Sequence, residues 1–328
     1  MEILSDQFKS KKICIVIPMY KVEPYIKDVI MGIPTWIWKI ILIDDASPDH
    51  SSEVVSSVND PRVEIIRLES NQGVGGAVLT GYKKAVELGA NIIVKMDSDG
   101  QMDPAYLIPL IAPILTNRAD YAKGNRFLHA NELKSMPLIR RIGNAGLSFL
   151  TKSASGYWNI FDPTNGYTAI SAKIIPLLNT DRISRRFFFE TSLLIELGLL
   201  RAVVEDVGIP AIYGDEKSHL SEWKTFFEFP PKLVKGFIRR IIFNYFIRDF
   251  TAFSLLFISG VFGILFGSYW GIDFWVRSAI TGMIASTGTV MIAVLPIILG
   301  VQFLLQAMVM DVENVPTQPL SNNGDILL

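Results

Sequence analysis

The stretch Asn91-Ile92-Ile93-Val94-Lys95-Met96-Asp97-Ser98-Asp99-Gly100-Gln101-Met102-Asp103-Pro104 shows the plan of the chain. A run of strand length, Asn91 to Met96, ends by presenting two carboxylates, Asp97 and Asp99, one residue apart. Alternate positions on an extended chain project the same way, so the two carboxylates share a side. Like charges that close cost energy unless a positive charge lies between them. A divalent cation carrying a diphosphate supplies one, because Mg²⁺ is typically held by one or two carboxylates together with substrate phosphates. A polar turn after a strand is the plainer alternative, Asp and Gly being ordinary turn residues.

Working outward, Ile13 to Ile17, Lys39 to Ile43 and Val63 to Leu68 repeat the apolar, strand-length pattern. Runs apolar on both faces suit a parallel sheet covered by helices. Helical patterns lie between them, at Glu23 to Met31, Glu53 to Val58 and Ala77 to Leu88, and Pro104 opens a further helix at a favoured first-turn position. The alternation predicts an α/β fold with a mainly parallel sheet. In such sheets ligands bind beyond the carboxyl ends of the strands. Pro18 to Glu23, Asp44 to Asp49 and Asp97 to Gln101 all fall there and predict a nucleotide-type site. Asp49 is expected to cap the helix after it. Gly73, Gly75 and Gly76 follow the third strand and lack the full spacing of a dinucleotide fingerprint. They are read as a tight strand-to-helix turn with close packing, not as a phosphate cradle.

From Ala119 to about Gly214 the alternation continues with more basic residues. Lys123 to Arg126 follow a short strand, and Arg140 and Arg141 begin a helix towards Ser153. Asp162 to Tyr167 form a turn before the strand Thr168 to Ile170, and Phe187 to Glu190 lead into an apolar helix. Glu190 near that helix start is favoured by the dipole whether or not it serves a site, and Asp162 has an ordinary turn role as its alternative.

The 328 residues carry a net charge of −1, which gives no basic field and argues against a nucleic-acid partner. The single cysteine, Cys14, sits in an apolar run, so a core position and a reducing compartment are expected. The first residues, Met1 to Gln7, show neither the basic segment nor the apolar core of a signal peptide. The mean hydropathy of +0.34 is high for a soluble enzyme, and its source is the last quarter of the chain.

Lys232, Lys235, Arg239 and Arg240 share one sector of a helical wheel, opposite Leu233, Val234, Phe237, Ile238, Ile241 and Tyr245. That predicts an amphipathic helix at a membrane surface, its cationic face towards lipid phosphates. Phe250 to Gly271 and Ala279 to Met310 are uncharged and long enough to cross a hydrocarbon core. The short aromatic segment Ile272 to Arg277 is expected at the interface between them. Gly260, Gly263 and Gly267, with Gly282 and Gly288 opposite, are expected to let the two helices pack closely. The positive-inside rule puts the basic helix and the α/β half in the cytoplasm, and two crossings return the tail, 311–328, there as an unstructured segment. The expected organisation is thus 1–229, 230–249, 250–310 and 311–328.

The ordered set Ile17 to Tyr20, Ile43 to Asp49, Asn71 to Gly73, Asp97 to Gln101, Gly124 to Arg126, Asp162 to Tyr167 and Phe189-Glu190 resembles the inverting glycosyltransferases of family 2, which have the GT-A fold. Within that family the likeness is to polyprenyl-phosphate sugar transferases, such as dolichol-phosphate mannose synthases and bacterial polyisoprenyl-phosphate glucosyltransferases. The resemblance implies that Pro18, Tyr20 and Asp45 frame the donor nucleotide. It implies that Asp97, Asp99 and Gln101, with Ser98 between, bind Mg²⁺ or Mn²⁺ and the donor diphosphate. Arg126, Arg140 and Lys217 would lie near the donor and acceptor phosphates. Asp162 is the first candidate for a base or sugar-positioning carboxylate, and Glu190 the second. Lys21-Val22 departs from the family's usual Asn-Glu, which leaves Glu23 as the nearest carboxylate for the base and opens the choice between a UDP-hexose and a GDP-hexose. The implied reaction is metal-dependent, inverting transfer of a hexose, glucose first, to polyprenyl phosphate. Transfer to a hydroxyl of a lipid-linked oligosaccharide or polysaccharide is the alternative. A homo-oligomer and a flippase partner are further expectations.

Overall fold

The computed structural model of the chain describes residues 10–126, 138–210 and 222–322. They fall into two compact units, one reaching to Phe237 and resuming at Pro316, the other running from Ile238 to Val315.

The first unit is built on seven strands: β1 (Ile13–Met19), β2 (Lys39–Asp44), β3 (Val63–Arg67), β4 (Ile92–Lys95), β5 (Tyr121–Asn125), β6 (Thr168–Ser171) and β7 (Val204–Gly208). They form one sheet in the order β3-β2-β1-β4-β6-β5-β7. All seven residues of β1 are buried, as expected of a strand covered on both faces. Helices α1 (Ile26–Gly32), α2 (Ser51–Ser57), α3 (Val74–Glu87) and α4 (Leu107–Leu115) alternate with the first strands. Ile15, Ile17, Ile26, Ile30, Leu110 and Ile111 pack into one apolar cluster. Cys14 lies in the core as expected, and burial pushes its thiol up to about 12.

Strands β1 to β4 are parallel, but β6 runs antiparallel to both β4 and β5. The start of β6, Thr168, therefore lies opposite Lys95 at the end of β4 and opposite Lys123 of β5. The segments that leave β1, β2, β4 and β5 and the turn that enters β6 consequently share one sheet edge. The alternation of strand and helix could not reveal that reversal.

Two turns on that edge are held by carboxylates. Buried Asp44 accepts the Ser47 N–H at 2.7 Å and the Ser52 hydroxyl, and pairs with Arg67 at 3.3 Å. Asp49 accepts from the Ser51 N–H at 3.3 Å, the Ser51 hydroxyl at 2.7 Å, the Ser47 hydroxyl at 2.5 Å and the Glu23 N–H at 3.2 Å. Asp49 is not the cap expected of it: His50 holds that position, and Asp49 supports the start of α2 from one residue before. Burial raises the Asp49 pKa, but these hydrogen bonds outweigh it and hold the group at about 2. At the start of α3, Gly73 has φ +83°, and Gly75 and Gly76 donate their N–H groups to the Arg185 carbonyl at 2.9 and 3.2 Å. A Cβ on Gly75 would overlap the Ser184 carbonyl and the Phe189 ring, so the glycines serve close packing, as the sequence indicated.

Further along lie α5 (Leu138–Ser155), α6 (Phe189–Leu200) and α7 (Glu222–Ile242). Phe229 and Leu233 of α7 pack with Ala154, Phe188 and Ile195, whereas Val234 and Ile238 are exposed. The apolar sector read on the helical wheel is therefore divided between a packed row and a free row. Arg240 corrects the expected cationic face. It is buried, and its guanidinium grips the Asp311 carboxylate at 2.7 and 2.8 Å, with the Tyr245 hydroxyl donating to the same carboxylate at 2.6 Å. A buried carboxylate must be paired, and Arg240 meets that need at the expense of facing solvent or lipid.

The second unit contains α8 (Ala252–Thr281) and α9 (Thr287–Glu313). Both are long and apolar enough to cross a membrane, at 30 and 27 residues. The expected break at Ile272 to Arg277 does not occur: α8 runs through it, with Asp273 and Arg277 paired at 3.0 Å across one helical turn. The chain turns instead after Gly282, whose φ of +68° ends α8, and Ser286 opens α9 by accepting the Thr289 N–H at 3.2 Å. Gly282 and Gly288 lie near this turn and do not face the glycines of α8. The close approach joins Gly260, Gly263 and Gly267 to Gly300, Pro296 and Ala293, where a Cβ on Gly263 would stand 2.7 Å from the Pro296 carbonyl oxygen.

The expectation of an unstructured tail also needs correction. Asp311 is helical, and Leu320–Asn322 form a short 3-10 turn. The Leu320 and Ser321 N–H groups donate to fully buried Asp120 at 2.9 and 2.8 Å, and Val203 donates a third bond at 2.8 Å. Lys173 donates to the Ser321 carbonyl at 2.9 Å. A polar composition cannot show that a distant buried carboxylate requires donors. Residues 323–328 lie outside the described residues.

Removing the tail after Val315, or changing Asp120→Asn, is expected to destabilise the α/β unit by roughly 2 kcal/mol or more, since hydrogen bonds to a buried charge are lost. The check is a melting temperature lowered by about 5 °C or more in both variants. The Asp49 contribution should depend on acidity in a defined sense. A carboxylate whose folded pKa lies below its unfolded value of about 3.9 stabilises above that value and loses the benefit as pH falls through the folded pKa. The stability gap between the wild type and Asp49→Asn should therefore be constant above about pH 5 and close between about pH 4 and pH 2, measured by chemical denaturation.

Candidate active site

Asp97 leaves the end of β4 beside a lysine from the same strand. Lys95 Nζ lies 2.7 Å from the Asp97 carboxylate and 3.1 Å from Glu190 Oε1, in the first turn of α6. The lysine side chain is 2 % exposed, against 34 % for Asp97 and 15 % for Glu190. Burial alone would lower the lysine pKa, but the two carboxylates outweigh it and raise the value, so the ammonium keeps its charge. Gly166, two residues before β6, closes over this group: a Cβ there would fall 2.7 Å from Asp97 Oδ2 and overlap the lysine Nζ. Close approach of the turn is possible because that position is glycine.

Asp99 accepts the Gln101 N–H at 3.0 Å, and the Asp97 N–H points at the Met102 sulfur at 3.1 Å. Ser98 is buried, and Gln101 is half-buried. Asp97 and Asp99 are hard oxygen donors of the kind Mg²⁺ and Mn²⁺ accept, and a loop carrying them at a strand end fits such an ion. Among the described residues no group of three or more His, Cys, Asp or Glu side chains could enclose a metal ion. Two carboxylates suit an ion that brings further oxygens with it, as Mg²⁺ does with phosphates.

Across the same edge, Asp162 is 1 % exposed and has φ of +50°. Its two carboxylate oxygens receive the Arg126 guanidinium as a fork, at 2.7 and 2.8 Å. The Asn165 amide adds a bond at 3.3 Å. Burial would raise the Asp162 pKa, but Arg126 more than offsets it and holds the carboxyl below its ordinary range. Arg126 is 40 % exposed, so the pair presents a guanidinium to the edge.

The remaining predicted residues are sorted less kindly. Tyr20 is exposed just beyond β1, with Lys21 Nζ 5.5 Å from its ring centre, while Pro18 lies buried within β1 beside Ile43. The two oxygens of Asp45 accept the Gln72 and Gly73 N–H groups at 2.7 and 2.8 Å, which makes Asp45 a latch for the glycine turn. Glu23 accepts the His50 N–H at 3.1 Å, tying the loop after β1 to the start of α2. Arg140 lies in α5, but its side chain is outside the described residues, as is Lys217 altogether.

Sequence reading missed Lys95, although it stands in the stretch that organises the fold. The available signal was a charge ending an otherwise apolar strand. It also missed buried Lys123, which donates to the Phe161 carbonyl at 2.6 Å and pairs with Asp206 at 3.3 Å. Burial dominates this pair, lowering the Lys123 pKa and raising that of Asp206.

Comparison with known proteins bears on the family and the fold. The profile of "Glycosyl transferase family 2" matches residues 14–176. A UDP-N-acetylglucosamine–dolichyl-phosphate N-acetylglucosaminyltransferase of Methanococcus voltae is 34% identical over 218 residues, which cover 62% of this chain and 86% of that protein. An undecaprenyl-phosphate mannosyltransferase of Micrococcus luteus is 27% identical over 52% of this chain and 70% of its own length. Among solved structures, glucosyl-3-phosphoglycerate synthase from Mycobacterium tuberculosis with Mn²⁺, UDP-glucose and phosphoglyceric acid superposes with a TM-score of 0.54. That match covers 72% of this chain and 82% of that one at 16% identity, and it shows the shared fold alone. The expected GT-A architecture is the one observed. By its sequence, this chain belongs to glycosyl transferase family 2.

Proposed function

We propose that the chain transfers a hexose or its 2-acetamido form from a nucleotide-diphosphate donor to polyprenyl phosphate, with inversion, at the cytoplasmic face of a membrane. The observation that carries this is the placement of the Asp97–Asp99 loop and the Arg126–Asp162 pair on one sheet edge. The loop offers oxygen ligands for an ion and diphosphate, and the pair offers a guanidinium for a phosphate. The names of the relatives from Methanococcus voltae and Micrococcus luteus support a polyprenyl-phosphate acceptor. The same names make N-acetylglucosamine and mannose candidates beside the glucose expected from sequence. UDP-N-acetylglucosamine is the first donor to try, on the strength of the 34% identical relative. Two helices able to cross a bilayer suit a lipid acceptor. Residues of the tail join the same compact unit as the α/β fold, which supports an even number of crossings. Association of copies through the hairpin and hand-over of the product to a flippase belong to the same proposal.

In the reaction, an oxygen of the acceptor phosphate attacks the anomeric carbon in line. The new carbon–oxygen bond forms as the bond to the donor diphosphate breaks, and the nucleoside diphosphate leaves with the electron pair. A divalent cation held by Asp97 and Asp99, with Gln101 adjacent, would supply charge stabilisation for that leaving group. A phosphate monoester, with a second pKa of about 6, is mostly dianionic at neutral pH and needs no base. Asp162 suits that acceptor. A carboxylate forked by Arg126 and held below its ordinary range is a poor proton acceptor, and its work is to orient the guanidinium. A hydroxyl acceptor would need a base, and this pairing makes Asp162 a poor one.

The assay supplies membranes containing the full chain with labelled UDP-N-acetylglucosamine, UDP-glucose and GDP-mannose, and undecaprenyl or dolichyl phosphate. Acid-labile labelled lipid is the expected product. Label appearing only when a glycan acceptor is added would overturn the lipid-phosphate assignment. Asp99→Ala should lower transfer by about 10²-fold or more while leaving the protein folded and membrane-bound. Undiminished turnover by that variant in metal-free buffer would sink the metal assignment. For Asp162→Asn the expected loss is no more than about tenfold, with the pH–rate profile unmoved. A loss of about 10²- to 10⁴-fold with a displaced acid limb would instead identify a general base.

A further inference from the structure

At Lys95 the end of β4, the turn before β6 and the start of α6 meet on a single side-chain atom. Its ammonium lies under Asp97 and Glu190, at 2.7 and 3.1 Å, and is the least exposed of the three groups. Gly166 shuts the space above it. A charge buried this way is costly unless it is paired, and here the partners come from two elements, the loop after β4 and the start of α6. The consequence for an incoming cation is direct. Asp97, Asp99 and Glu190 supply three negative charges near the loop, and Lys95 removes one, which leaves two. The carboxylate of Asp97 is already engaged by a positive charge that solvent cannot screen. A bare divalent ion must compete with that ammonium, whereas an ion carrying a diphosphate brings its own oxygens and negative charge.

We propose that Lys95 is a positioning residue that tethers Asp97 to Glu190 and, by offsetting their charge, makes divalent-cation binding conditional on the donor diphosphate. The proposal rests on the nucleotide-sugar reading above. It assigns this chain an order of binding, with the ion entering together with the nucleotide. It also gives Glu190 a role at the site through its bond to Lys95, in place of contact with substrate.

The test measures Mn²⁺ binding to the full-length protein in nanodiscs by electron paramagnetic resonance, with Mn²⁺ alone and with Mn²⁺ plus UDP. In the wild type, UDP should tighten Mn²⁺ binding by roughly tenfold or more. Lys95→Met leaves three net negative charges, and Glu190→Gln leaves one. The double variant Lys95→Met/Glu190→Gln returns the count to the native two. For Mn²⁺ alone, Lys95→Met should bind roughly tenfold tighter than the wild type, and Glu190→Gln more weakly than it. The double variant should lie near the wild type, and the gain from UDP should shrink in Lys95→Met. The double variant leaves no buried charge stranded at this position, so it tests the idea even if Lys95→Met does not fold. Equal Mn²⁺ affinities for the wild type and Glu190→Gln, or tight Mn²⁺ binding by the wild type without UDP, would overturn the role of Lys95. Absence of Mn²⁺ binding by the wild type even with UDP or GDP present would instead overturn the metal-assisted reading itself.

Discussion

The structure depends on the reversal of one strand. Because β6 runs antiparallel between β4 and β5, its first residue stands opposite the last residue of β4 and the middle of β5. A wholly parallel sheet would send the entry to β6 to the far edge. The reversal brings the Asp162 to Tyr167 turn to the edge where β1, β2 and β4 end. Two features follow. Gly166 can close over Lys95 and Asp97, and Asp162 can receive the guanidinium that leaves β5 at Arg126.

The edge has two electrostatic centres with different characters. One is a lysine surrounded by carboxylates and the other an arginine forked on one carboxylate. In both, the cation and anion hold each other in place before any substrate arrives, which is how a site reaches usable geometry without reorganising at the moment of reaction. Their exposures differ in a way that matters for chemistry. Lys95 is sealed below its partners, whereas Arg126 stands above its own. The first therefore offsets carboxylate charge beneath the loop, and the second presents its guanidinium at the edge.

Charge pairing also organises other parts of the chain. Arg240 and Asp311 tie the end of α7 to the end of α9, and Asp120 holds the returning tail. Buried carboxylates of this kind add little as pairs but cost a great deal when left alone, so each one specifies what must be near it. The tail after the hairpin is for this reason part of the α/β unit, although more than a hundred residues of chain separate it from the rest of that unit's strands.

Local patterns determined a good deal. The apolar run that leads into the Asp97–Asp99 loop, the polar clusters at the ends of β1 and β2, and two uncharged stretches of membrane length are all legible in neighbouring residues. So was the packing role of Gly73, Gly75 and Gly76. By contrast, β4 ends at Lys95, and Asp99 lies in a turn, not on an extended strand. What the tertiary structure alone decided joins residues distant along the chain. Lys95 and Glu190 are separated by 95 positions, Arg126 and Asp162 by 36, and Asp120 and Leu320 by 200. Asp45 and Glu23, read as nucleotide contacts, hold backbone N–H groups of neighbouring turns for the same reason. Periodicity reports which face of a helix or strand is buried. It carries no record of which buried charge will answer another, because that depends on strand order and on the one strand that turns back.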